Sequence, residues 1–166
     1  APPLRLVHRG LGEGGVALGF GPVTTIGAYY VLARQFSWEA FYASLPVAIL
    51  IALVLYVNEI PDREGDAAAG KRTLVVRWSK EAVVNSYLIS VIACYALIVL
   101  GALGGLLPLP ALAALLTLPM AVRVWKSLGR HYSSPYSLMP AMQMNIGLHL
   151  FTGLLLVAGY LLSIWL

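Results

Sequence analysis

The sequence predicts an all-α protein, a polytopic transmembrane helix bundle with five helices in this chain. Three observations carry that expectation. The residues are 60% hydrophobic and only 11% charged, where a soluble domain of this size carries about 25% charged residues. The few charges are clustered, so long uncharged stretches lie between them. The basic residues then fall almost entirely on one side of the bundle that those stretches define.

A helix needs roughly 20 apolar residues to cross the hydrocarbon of a bilayer. The uncharged stretches 14–33 and 40–58 each fit one span. The stretch 82–122 is long enough for two, and Gly104-Gly105 with Pro108 and Pro110 divides it, giving spans near 82–103 and 109–124. The uncharged stretch 132–166 fits one span after a polar lead-in, near 144–166. Pro22, Pro46 and Pro119 lie inside apolar spans, where neighbouring helices satisfy the freed carbonyls, and read as kinks. Cys94 is the single cysteine and sits mid-span, as a packing residue.

Under this arrangement ten of the eleven basic residues share one side: Arg5, Arg9, Arg63, Lys71, Arg72, Arg77, Lys80, Arg123, Lys126 and Arg130, with Arg34 alone on the other. Cytoplasmic loops are enriched in Lys and Arg. The polar connection 59–81 is therefore expected on the cytoplasmic face of the inner cell membrane. Trp38 and Trp165 fall at the outer interface and Trp78 and Trp125 at the inner one, as an aromatic belt expects. The net charge of +4 reflects this topology, not nucleic-acid binding. The start, Ala1-Pro2-Pro3, lacks the pattern of a signal peptide; its abrupt polar opening and the odd helix count lead us to expect further sequence upstream. Two connections, 59–81 and 123–143, are longer than a helical hairpin needs and are expected to carry structure of their own.

The chemistry concentrates in the run Asn58-Glu59-Ile60-Pro61-Asp62-Arg63-Glu64-Gly65-Asp66, which continues to Gly70-Lys71-Arg72-Thr73. Asn58, Asp62 and Asp66 recur every fourth residue, which places their side chains on one helix face. Such carboxylates repel one another unless a cation joins them. Mg²⁺ suits the set, since it takes oxygen ligands and is commonly held by one or two carboxylates plus substrate phosphates. Lys71 and Arg72 are placed to meet remaining phosphate charge, Arg through a bidentate fork. Gly70 continues the stripe without a side chain. Acids solvated in a loop are the competing reading. Pro61 is also expected to interrupt the helix between Asn58 and Asp62, which makes Glu59 an alternative ligand.

The segment resembles the second aspartate-rich motif of the UbiA prenyltransferase superfamily, D-x-x-x-D followed by a glycine and a threonine, here Asp62, Asp66, Gly70 and Thr73. Gly70-Lys71-Arg72-Thr73-Leu74-Val75-Val76-Arg77, the opening Pro2-Pro3-Leu4-Arg5-Leu6-Val7-His8-Arg9-Gly10-Leu11-Gly12-Glu13, and Phe20-Gly21-Pro22 with Gly27-Ala28-Tyr29-Tyr30 are similar to the branch that prenylates 1,4-dihydroxy-2-naphthoate for menaquinone. The resemblance implies a fold of nine helices around a central cavity. The family's first aspartate-rich motif and a tyrosine before the Pro-Pro segment do not occur in this sequence, so residues 1–166 are expected to be the C-terminal part, helices five to nine, inactive alone. The implied activity is Mg²⁺-dependent transfer of a polyprenyl group from its diphosphate to an aromatic acceptor. Asn58, Asp62 and Asp66 would be the metal ligands, with Asp62 and Asp66 catalytic, and Arg5, Lys71 and Arg72 would bind diphosphate. Homogentisate, 4-hydroxybenzoate, haem and chlorophyllide are the other acceptors of the superfamily.

Lesser candidates follow. Asn145 and His149 form an i,i+4 polar pair in the last span, expected to face the bundle interior as interhelical hydrogen-bond partners. Asn85, Ser86 and Tyr87 open the third span near the reactive face and are candidates to line an acceptor pocket. Tyr29, Tyr30 or Tyr87 are candidates to flank a carbocation. A membrane phosphatidyl-alcohol transferase would carry D-G-x-x-A-R, which is not present. A transporter would show polar or broken segments at mid-membrane, whereas the ionisable residues here, His149 apart, sit at or outside the span ends.

Overall fold

The structure is a computed structural model that describes residues 10–165. Every regular element among them is helical. Five helices are long and apolar enough to cross a membrane: α1 (Gly12–Ala33), α2 (Trp38–Ala68), α4 (Lys80–Leu103), α5 (Leu109–His131) and α6 (Pro135–Ser163). A single-turn helix, α3 (Leu74–Arg77), lies between α2 and α4. The chain is a multi-pass membrane bundle, as the uncharged stretches predict.

Boundaries depart from the expectation in an instructive way. Residues 59–68 are not a loop. They continue α2, which runs for 31 residues through Pro46 and Pro61 without a break. At 1.5 Å per residue that is about 46 Å, against roughly 30 Å of hydrocarbon. With Ser37 capping the start by accepting from Ala40 N at 2.9 Å, about 20 residues from Trp38 reach Asn58, so the last turns project beyond the apolar slab. The polar residues 123–143 likewise extend two helices toward a tight turn at 132–134. Glu, Asp, Arg and Ala are adequate helix formers. The drop in hydropathy at Glu59 marks the edge of the bilayer, not the end of the helix.

Pro22 is accommodated by a π-helical turn, Gly19–Val23, inside α1, a common device for absorbing a missing donor. There Gly21 lies against Ala48, and any side chain on it would collide with that residue. Gly159 of α6 meets the backbone of Ala111 in the same manner. Small residues at such crossings let membrane helices approach closely, which matters where no hydrophobic effect drives association. Polar glue supplements the packing. Tyr87 Oη donates to Asn145 Oδ1 at 2.8 Å, and Asn145 Nδ2 donates to the carbonyl of Leu53 at 2.9 Å, linking α4, α6 and α2. Thr117 joins Tyr95 and Thr152, each at 2.8 Å. Cys94 is buried, its Sγ 3.7 Å from the Pro46 carbonyl, in the packing role read from the sequence.

Candidate active site at the polar end of the bundle

The polar run lands on one end of the bundle. Arg63 Nη1 donates to the carbonyl of Tyr132 at 3.3 Å, and its guanidinium lies 5.0 Å from the centroid of the Tyr132 ring. That contact places the end of α2 beside the 132–134 turn. Gly10 sits against Arg72 and Arg77, so the described N-terminal residues reach the same end. Arg5 lies outside the described residues, with His8 and Arg9.

Because α2 is continuous through Pro61, Asn58, Asp62 and Asp66 form one unbroken face. The interruption expected at Pro61 does not occur, and with it goes the reason for Glu59 as a substitute ligand. Glu59 instead turns inward and is 7% exposed. Asp62 is exposed, and Asn58 and Asp66 are half-buried. Counting back along the same face, Val54, Val47 and Ala43 continue the stripe into the membrane. Val47 and Ala43 line an apolar groove of about 410 Å³ between α1, α2 and α6, together with His149 and Gly153.

The end of α2 is built by a local rule. Gly70 has φ +74°, Lys71 N donates to the Asp66 carbonyl and Gly70 N to that of Ala67, at 2.9 and 3.0 Å. This is a Schellman termination, which needs a left-handed residue after the cap and favours glycine there. Gly70 therefore ends the helix; it does not extend the stripe. The same turn folds Lys71 back over Asp66, where Nζ meets Oδ1 at 2.6 Å. The Asp66 carboxylate holds the Lys71 ammonium above its ordinary pKa, by hydrogen bond and charge. Arg72 is exposed beside them.

Glu13, to which the sequence reading assigned no role, lies near this end as well. Glu13 of α1 is 6% exposed, and its Oε1 accepts from Leu74 N at 3.2 Å, pinning the start of α3 to α1. Thr73, 1% exposed, caps α3 through Val76 N at 3.4 Å. Oε2 of Glu13 and Oε2 of Glu59 are buried without a hydrogen-bond partner among the described residues. Glu13 borders a cavity of about 240 Å³ between α1, α2 and α4.

The tyrosine candidates fare differently from expectation. Tyr87 is fully buried and donates to Asn145. Tyr29 and Tyr30 stand about 24 Å along α1 from Glu13, at the opposite end from the carboxylates. Asn145 is the interhelical partner that was expected; His149 Nδ1 is instead buried without a hydrogen-bond partner among the described residues, on the groove side. Asn85 is exposed, while Ser86 borders the Glu13 cavity.

Among the described residues no three His, Cys, Asp or Glu side chains form a ready-made metal cage. Mg²⁺ does not need one, because it keeps waters and takes phosphate oxygens beside one or two carboxylates. Two aspartates and an amide on one face, next to an ammonium, are a donor set of that kind.

Comparison with known proteins accords with this chemistry. Residues 3–148 match the model of the UbiA prenyltransferase family. The chain is 32% identical, over 96% of its length, to a 2-carboxy-1,4-naphthoquinone phytyltransferase of Synechocystis, covering 52% of that protein. It is 29% identical over 95% of its length to the 1,4-dihydroxy-2-naphthoate octaprenyltransferase of Escherichia coli, covering 51% of it. The corresponding figures for the Bacillus subtilis octaprenyltransferase of the same name are 24%, 97% and 51%. The chain thus spans about half the length of these curated relatives. No solved structure matches it. The chain belongs to the UbiA prenyltransferase family.

Proposed function

We propose that this chain is the C-terminal part, helices five to nine, of an inner-membrane enzyme. In this reading the enzyme transfers a polyprenyl group from its diphosphate to 1,4-dihydroxy-2-naphthoate, in menaquinone biosynthesis. The observation that carries the proposal is the continuous Asn58–Asp62–Asp66 face with Lys71 folded onto it. The relatives named above differ in prenyl chain, octaprenyl or phytyl, but share a naphthalene-derived acceptor. That shared part favours a naphthoate here over the other acceptors of the family.

In this reading Asn58, Asp62 and Asp66 hold Mg²⁺ at the cytoplasmic end of α2. The bound ion supplies electrophilic neutralisation of the diphosphate as negative charge builds on it. Lys71, Arg72 and Arg5 bind the phosphate oxygens and stabilise the same charge. The allylic C–O bond breaks with its electron pair going to the diphosphate oxygen. The acceptor ring carbon then bonds to the allylic carbon, and the ring proton is lost. Lys71, paired with Asp66 in the structure, would turn to phosphate when the diphosphate binds. The groove below the stripe is lined mostly by apolar residues, which suits an isoprenoid tail that is itself a lipid.

The test is prenyl transfer by the complete protein in detergent or vesicles. Asp62→Ala and Asp66→Ala should each abolish most transfer while the protein stays folded, and excess chelator should do the same to wild type. Asn58→Ala should be milder, since a neutral ligand contributes less Coulomb attraction. Full activity of the Asp66→Ala variant, or activity in chelator, would remove the metal from the reading.

A further inference from the structure

A further groove lies away from the carboxylate face, between α4 and α5. Its volume is about 530 Å³, and its walls are Leu88, Val91, Ile92 and Val99 of α4 with Leu118 and Val122 of α5. Among the described residues none of α2 borders it. Tyr95 does, but its hydroxyl is engaged by Thr117 at 2.8 Å. The groove thus offers a ligand no free hydrogen-bonding side chain along its length. A diphosphate or a hydroxylated ring lodged there would be desolvated without compensation, whereas a hydrocarbon chain would not. From Leu88 to Leu100, which also lines it, α4 rises about 18 Å, against about 15 Å for one leaflet's share of the hydrocarbon. One acyl chain matches that depth.

Charge marks one mouth of this groove. Along α5 the stripe through Leu118 and Val122 continues by a four-residue step to Lys126. Arg123 stands three residues before Lys126 and Arg130 four after it, on the adjoining face. All three are exposed, and none pairs with an acid among the described residues. A Cβ on Gly129 would lie 3.9 Å from Val84 Cγ1, so α4 and α5 stay together past Lys126 and hold these cations beside the groove. On α4 the stripe through Leu88 runs back to Asn85 and Glu81, both exposed.

Long basic side chains at the edge of the hydrocarbon carry their charge to headgroup level, and basic clusters between helices at a membrane surface attract anionic headgroups. Three cations at the mouth of an acyl-sized groove therefore complement a lipid phosphate. Glu81 narrows the choice. A headgroup with a second anionic group would face that carboxylate, whereas headgroup hydroxyls would donate to it and to the Asn85 side-chain carbonyl.

We infer that the α4–α5 groove binds one phospholipid with a singly anionic, hydroxyl-bearing headgroup, of the phosphatidylglycerol type. One acyl chain lies along Leu88 to Leu100, the phosphate meets Lys126 and Arg130, and the headgroup hydroxyls face Glu81 and Asn85. Topology alone would call for the basic residues but not for the apolar groove that opens beside them. The site shares no residue with the carboxylate face or the tail groove, and it does not rest on the prenyl-transfer reading.

The test is lipid binding by the complete protein in detergent, measured by native mass spectrometry with dioleoyl phosphatidylglycerol and dioleoyl phosphatidylcholine. Wild type should retain one phosphatidylglycerol with about tenfold or greater preference over phosphatidylcholine, and Lys126→Gln and Arg130→Gln should each weaken it by about fivefold. Ile92→Trp, at a position 58% exposed, fills the groove without disturbing the core and should remove the bound lipid. Leu118→Trp, on the facing helix and 42% exposed, should do the same, so that one misfolded variant does not decide the matter. Each variant is checked for an unchanged melting temperature. Equal retention of the two lipids, as would follow if another part of the complete protein covers the groove, would overturn the site. So would a preference untouched by the two charge substitutions. A preference that depends on charge but survives both groove-filling variants would mean surface attraction with no chain in the groove, and would overturn it too. Glycerophosphoglycerol, which has the headgroup without the chains, should not displace the lipid at equal concentration; displacement would show that the phosphate alone is recognised and would likewise sink the acyl groove.

Discussion

Lys71 and Arg72 are adjacent in sequence but differ in situation. Lys71 is folded over Asp66 by the turn at Gly70, while Arg72 is exposed beside it. Membrane insertion counts basic charge in aggregate, so either residue is replaceable for topology. A phosphate contact is local, and a charge-assisted hydrogen bond is worth about 1.5–3 kcal/mol, or roughly 10- to 150-fold in affinity. Neutralising both to Gln in the complete protein should leave orientation intact and weaken a non-hydrolysable prenyl diphosphate analogue by at least that factor, with acceptor affinity little changed. Titration of the analogue in Mg²⁺ checks it, and equal affinities for wild type and variant would reduce both residues to topogenic charges. The Asp62 and Asp66 spacing was legible in the sequence because it is a local periodicity. The Glu13–Leu74 bond spans 61 residues, so no window along the chain contains it. A single acid in the first turn of an apolar span, as Glu13 is, was the one available hint.

At the scale of the element, α2 shows what hydropathy reports and what it does not. The polar residues after Asn58 read as a loop because solvent exposure, not backbone conformation, sets hydropathy. The helix continues to Ala68 because those residues propagate it well and stops where Gly70 supplies the left-handed conformation. Two glycines five residues apart should therefore respond oppositely to alanine. Gly65 is mid-helix with nothing within 4 Å of an added Cβ, so Gly65→Ala should stabilise by about 0.5–1 kcal/mol. Gly70 has open space too, but its φ of +74° makes Gly70→Ala cost about 1–2 kcal/mol. Loss of the turn should also loosen Lys71 from Asp66. Thermal unfolding of the two variants in detergent measures the pair, and shifts of the same sign would show that the Schellman turn does not form.

At the scale of the whole molecule, five candidate crossings and one charge rule predict the sidedness. Five spans were countable from the sequence because charge is excluded from hydrocarbon, and the proline and glycine breaks between them are local signals. The crossings at Gly21 and Gly159 were not countable, since a small residue in an apolar run shows its use only once the neighbouring helix is in place. The fold puts the α2 extension, the start of α3 and the 132–134 turn at one end. Arg34, the residue with left-handed φ that ends α1, lies at the other. The structure provides a clean background for reading sidedness, because Cys94 is buried and shielded from an aqueous thiol reagent. Cysteines placed at Arg34 and at Glu64, both exposed, should be labelled from opposite sides of sealed inverted vesicles. Position 64 should react first with a membrane-impermeant maleimide, because the positive-inside rule predicts a cytoplasmic location for its end. Position 34 should react only after the vesicles are opened. Labelling of both from one side would mean an even number of crossings between them, and α2, the only helix joining them, would then not span the bilayer. Its carboxylates would lose their interfacial position, and the proposed site would lose the helix that presents it.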